Sequence, residues 1–174
     1  MTTEFKTVSP ERAVQIMRAW AFHPWPMTVQ DGIDVYTSLG FKGDPQEPRF
    51  FTSDMSPSKT DSSFIVSEGV VNSCRLRLSN WVSSEHWAMS LPRSRNAFTS
   101  FVNSFTEILG KPFSTEDEET DFSAHWILES RVGVDLGGNR ALIILSIDSP
   151  EETGYLLDDL EAEANGEEIG ADYF

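Results

Sequence analysis

The sequence is short of several things, and each shortage closes a class of explanation. Cys74 is its one cysteine, so no disulfide can form within the chain. The three histidines, His23, His86 and His125, stand at spacings that match no metal-ligand pattern, and HExxH does not occur. The longest apolar run, "ALIILSI", is far shorter than the ~20 residues a membrane helix needs. The glycine-rich "DLGGNRA" has neither GxGxxG nor a P-loop lysine, so it offers no phosphate cradle. Basic residues nearly vanish after Lys111. From Pro112 to Phe174 only Arg131 and Arg140 oppose seventeen acids, which equals the whole net charge of −15. The stretch before it is balanced, with 11 acids and 11 bases.

What is present describes a folded protein. At 174 residues the chain fits one domain, and 39% hydrophobic with 11% aromatic content supplies a core without metal or disulfide staples. The opening "MTTEFKTVSPER" lacks the basic region and apolar run of a signal peptide, so the expectation is a soluble, cytoplasmic protein. Negative charge of this size disfavours nucleic acid and anionic membranes, because phosphates are repelled. It favours a basic protein partner. The oligomeric state is not legible.

Ser9 before Pro10 starts a helix, carried on by Val14, Met17, Trp20 and Ala21. Pro24 and Pro26 end it around Trp25. Thr28 with Asp31 resembles a capping box, opening a second helix with Val29, Ile33, Tyr36 and Leu39 on one stripe and Gly40 at its close. Gly32 inside this helix weakens the reading, by about 1 kcal/mol relative to Ala. "RFFTSD", "SFIVSEG" and "NSCRLRLSNWV" read as three strands of a meander. A third helix carries Phe98, Phe101, Val102, Phe105, Ile108 and Leu109 inward and stops at Gly110 and Pro112. An acidic loop follows, then strands "SAHWILES", "RVGVDL" and "RALIILSID", with "GGN" at Gly137–Asn139 as a hairpin turn. The last helix starts at Ser149 and Pro150, with Glu151 and Glu152 suiting its dipole and Leu156, Leu157 and Leu160 as its buried face.

The predicted fold is α+β: two N-terminal helices (1–40), a first βββα unit (41–111), a second βββα unit (112–165) and an acidic tail (166–174). One mainly antiparallel sheet would carry helices packed on it.

The chemistry-bearing candidates are few. Cys74 alternates with Leu76 and Leu78, which places it on an apolar face as an inert thiol, though a dyad with His86 or His125 is conceivable in space. Carboxylate pairs abound, but exposed acidic runs lack the apolar cleft that general acid–base work needs. Trp25 and Trp87 read as loop residues that plug the core edge. No cofactor and no metal is expected. The partner-binding candidates are Glu116, Asp117, Glu118, Glu119 and Asp121 in the acidic loop, with Asp158, Asp159, Glu161 and Glu163 on the last helix. Glu167, Glu168 and Asp172 add to them in the tail.

The stretch "AWAFHPWPMTVQDGIDVYTSLGF" combines a helix, a W-P turn and a helix ending in L-G-aromatic. It resembles an uncharacterised family of small acidic actinobacterial proteins, a domain of unknown function. The resemblance covers about the first quarter of the chain. It implies paired β-meanders, no assigned activity, and a setting beside secreted polymorphic toxins. The first functional expectation is therefore a non-enzymatic acidic binding protein, an immunity protein neutralising a basic bacterial toxin. The alternative is a secretion-type chaperone or adaptor that binds an extended client through an apolar groove. An enzyme using Cys74 with a histidine ranks last.

Overall fold

The computed structural model describes residues 4–165. The tail acids Glu167, Glu168 and Asp172 lie outside the described residues. Two helices come first, α1 (Pro10–Ala21) and α2 (Val29–Ser38). Four strands follow, β1 (Lys42–Gly43), β2 (Phe50–Thr52), β3 (Ser62–Ser67) and β4 (Val70–Arg77). A short 3₁₀ turn leads into helix α3 (Trp87–Leu109). Four more strands, β5 (Ser114–Asp117), β6 (Asp121–Ile127), β7 (Gly133–Asn139) and β8 (Ile143–Asp148), precede helix α4 (Pro150–Ala164). All eight strands form one antiparallel sheet in the order β1-β2-β3-β4-β8-β7-β6-β5. The two halves join through β4 and β8, with Cys74 opposite Ile147 and Leu76 opposite Leu145.

Local chemistry starts the helices. The Ser9 hydroxyl accepts from the Arg12 N–H with Pro10 at the first position, and Ser149 does the same for Glu152 ahead of Pro150. Thr28 and Asp31 form the complete capping box. Gly32 has a packing reason: a Cβ there would stand 3.2 Å from Val71 Cγ2, so glycine lets α2 lie close on the sheet.

Strand alternation sorts the sheet into two faces. Phe64, Cys74, Leu76, Ile147, Leu145, Val134, Leu136, Ala124 and Trp126 are buried on the face that α1, α2 and α3 cover. Tyr36 packs over its first half, with ring centroids 4.7 Å from Trp20 and 4.5 Å from Phe51. The opposite face carries Arg75, Ser146, Asp135 and His125 across successive strands. No helix among the described residues is long and apolar enough to cross a membrane.

The α+β class and the mainly antiparallel sheet hold; several local readings change. Each half contributes four strands rather than three, because β1 and β5 are short edge strands without an apolar alternation. "STEDEETD" is no loop: Ser114–Asp117 pairs with Phe122–His125 as a hairpin. The β7–β8 turn lies after the glycines. The Asn139 side chain accepts from Ala141 N–H (2.7 Å) and Leu142 N–H (3.1 Å), which moves the turn to Asn139–Leu142 and leaves Gly137 and Gly138 in the strand. The third helix begins at Trp87, eleven residues before Phe98, with Pro92 in its second turn. Its early face is Ser90 and Ser94, both buried, whose hydroxyls donate to the Arg140 carbonyl (2.5 Å) and the Asn139 carbonyl (2.6 Å). Small polar residues allow that close approach and give no apolar periodicity to read. Trp87 is therefore helical. Its indole donates to the Val82 carbonyl and its ring lies under the Arg140 guanidinium. Trp25 is in a loop, half-buried, and donates to the Trp20 carbonyl.

The last helix departs most. Thr153 is its only buried residue, while Leu156 is 51% and Leu160 37% exposed and Leu157 is half-buried. The three leucines are not an inward face. The first turn of α4 meets the sheet, where Thr153 packs on Gly133.

Candidate functional site

The β5–β6 hairpin brings Glu116, Asp117, Glu118, Glu119 and Asp121 to one edge of the sheet. The backbone closes tightly, with Glu118 N–H donating to the Asp121 carbonyl at 2.8 Å. Arg95, from α3, organises the tip. It pairs with Asp117 and donates to the Glu118 carbonyl (2.7 Å) and the Glu119 carbonyl (2.9 Å). Its guanidinium also lies 4.8 Å from the Phe122 ring centroid. The tip is thus held from the helical side. All four residues of β5 are exposed. Glu116, Glu118, Glu119 and Asp121 have no ion-pair partner among the described residues.

Asp158, Asp159, Glu161 and Glu163 are exposed on α4 and likewise have no ion pair among the described residues. They do not join the hairpin acids in one cluster. The hairpin tip lies at the end of the sheet where Asp121 pairs with Asn139. Helix α4 leaves from the other end, where Asp148 pairs with Gly133 and Ser149 N–H donates to the Asn72 carbonyl. Five residue steps of β8 separate Ile143 from Asp148, roughly 17 Å along the strand. The acidic half of the sequence is two acidic regions in space.

Between them, on the face away from α1, α2 and α3, lies a polar cluster that sequence reasoning missed. His125 and Asp135 are cross-strand neighbours, with Nδ1 2.5 Å from Asp135 Oδ1. A carboxylate partner makes Nδ1 the donor, which orients the ring. Asp148 follows diagonally. Its carboxyl is pushed up to about 7, first by burial, then by the hydrogen bond and charge of Asp135, and by Glu152. A cavity of about 380 Å³ opens on the same face, with Arg75, Glu116, His125, Asp135 and Ile144 among its walls. Gly137 forms part of it, and open space stands where its Cβ would be. The available signal was parity: His125, Asp135 and Asp148 all alternate with buried residues, placing them on one face.

The remaining chemistry candidates disperse. Cys74 is wholly buried on the helix-covered face, and burial pushes its thiol well above the ordinary range. His125 is on the other face and three strand spacings away, roughly 14 Å. His23 Nδ1 is 2.8 Å from the Pro24 carbonyl oxygen, and His86 is 3.9 Å from Glu85. Among the described residues no three His, Cys, Asp or Glu side chains gather as metal ligands would.

Residues 11–149 match a family described as a family of unknown function, DUF6301. The chain belongs to that family. The matched stretch takes in both helix-covered halves of the sheet and the β5–β6 hairpin, and ends one residue before α4. No curated protein and no solved structure matches the chain.

Proposed function

We propose that this member of DUF6301 is a non-enzymatic binding protein that holds a basic protein against its acidic surface, as an immunity protein shields a basic toxin. One observation carries the reading. Among the described residues Asp117 is the one carboxylate of the hairpin met by a cation, and that cation, Arg95, is spent bracing the tip. Glu116, Glu118, Glu119 and Asp121 are thereby presented on a fixed scaffold. A braced backbone adds no ordering cost of its own when a lysine or arginine docks, and the carboxylates speed encounter at low salt. The acids of α4 form a separate region that a large partner could reach or that steers from a distance.

The test is co-expression with the neighbouring gene product, followed by co-purification. A triple change of Glu116, Glu118 and Glu119 to Lys is expected to weaken capture at least tenfold and to abolish its salt dependence. Undiminished capture would sink the hairpin as the contact.

A second reading has its own observation. Tyr155 (59%), Leu156 (51%) and Leu160 (37%) are exposed on α4, an apolar ridge suited to an adaptor or secretion-type chaperone gripping an extended client. It predicts capture that survives 0.5 M salt and is lost on Leu156→Asp.

A further inference from the structure

The feature that carries furthest is the outer edge of β5. Among the described residues it ends the sheet, pairs only with β6, and has all four residues exposed. The Glu118–Asp121 backbone bond fixes the ladder parity. Counting back along the register, Glu116 opposite Ser123 and Ser114 opposite His125 turn their backbone groups toward β6. Thr115 and Asp117 therefore turn their N–H and C=O groups outward. Side chains alternate at right angles to this. Glu116 lies on the open face at the wall of the cavity, and Asp117 lies on the helical face against Arg95.

We propose that β5 accepts an extended basic segment of a partner protein as a ninth strand. This deepens the proposed function and rests on it. Thr115 and Asp117 would supply the main-chain ladder. A lysine or arginine opposite Glu116 would fall in a non-hydrogen-bonded pair, where side chains approach most closely. Its aliphatic stem would cross the cavity mouth, with Glu118 and Asp121 beside it. Charge selects the occupant. A second copy of this chain would set Glu116 and Asp117 against their own carboxylates, so the edge rejects itself while staying open to a basic strand. Arg95 holds the hairpin in this geometry beforehand.

The experiment uses the full chain and two blocked ten-residue peptides of alternating lysine and threonine, one of them N-methylated at every second amide. Methylation removes one edge of donors and keeps the charge. The unmethylated peptide is expected to bind at least tenfold tighter and to slow amide exchange at Thr115 and Asp117. Thr115→Pro removes an outward N–H without touching the β6 ladder and should cancel that difference; the exchange readout on the unaltered chain stands if the variant does not fold. Equal binding of the two peptides, or no slowing at Thr115 and Asp117, overturns strand addition and leaves an electrostatic contact, so the proposed function survives. If neither peptide binds but the neighbouring gene product does, strand addition again falls alone. If the neighbouring gene product also fails to bind, both fall.

Discussion

Asp148 holds its proton to about pH 7, where an exposed aspartate has lost it near 3.8. Burial is the main cause, and Asp135 and Glu152 add to it. The sign follows from linkage. Between about pH 4 and 7 the folded chain keeps a proton that the unfolded chain releases, so stability from this group is full below about pH 4 and is lost as pH rises through 7. Asp148→Asn removes the titration while still offering Asp135 a donor. The variant should be more stable than the unaltered chain at pH 8, with the gap shrinking toward pH 5, as urea unfolding at the two values will measure. The neighbouring Thr153 Oγ1, buried without a hydrogen-bond partner among the described residues, shows how little polar compensation this corner has.

Two adjacent glycines of strand β7, Gly137 and Gly138, are there for different reasons. Gly138 faces the helices, and a Cβ there would stand 2.5 Å from Phe122 Cε2. Gly137 faces the open side, with nothing within 4 Å. Gly138→Ala should cost about 1–3 kcal/mol through forced repacking of Phe122. Gly137→Val should leave stability unchanged or raise it by up to about 1 kcal/mol, since a strand prefers a β-branched residue to glycine. Thermal unfolding of the two variants checks the contrast. Equal losses would mean that the open-face cavity is filled by something in solution. In the sequence the pair read as a turn, because "GGN" is the usual hairpin chemistry. The Asn139 side chain displaced that turn by capping the next two N–H groups.

The two halves of the chain fold into one sheet, and β4–β8 is the seam. Leu145, wholly buried, pairs with Leu76 on one side and Leu136 on the other, so it belongs to both halves. Leu145→Ala should destabilise by about 2–5 kcal/mol. The loss should appear as a single unfolding transition, seen alike by Trp20 in the first half and Trp126 in the second through single-tryptophan variants. Two separated transitions would show that each half melts alone.

Much of this fold was legible. Helix starts at Ser9, Thr28 and Ser149 are decided within one turn of chain, by a side-chain oxygen and the N–H groups just beyond it. Strand alternation around Cys74 and His125 is likewise local. So is the charge asymmetry, which pointed to the Glu116–Asp121 stretch. What failed was whatever depends on distant neighbours. Leu156 and Leu160 carry helical spacing, but spacing alone does not supply a surface to cover them. The long early part of α3 is hidden because Ser90 and Ser94 fit against carbonyls of a turn some 45–50 residues away.

The sequence by itself determined the class of fold, the caps at Ser9, Thr28 and Ser149, the alternation of strands such as β4 and β6, and the total charge, since these depend on residues a few positions apart. Only the tertiary structure decided that the acidic stretch is an edge strand, that its carboxylates and those of α4 leave opposite ends of the sheet, and that Asp135 pairs with His125 on one strand and faces Asp148 on the other. The physical reason is pairing. Which strand lies beside which is fixed by the joint burial of faces such as Cys74 against Ile147, 73 positions apart, and no local pattern encodes that choice.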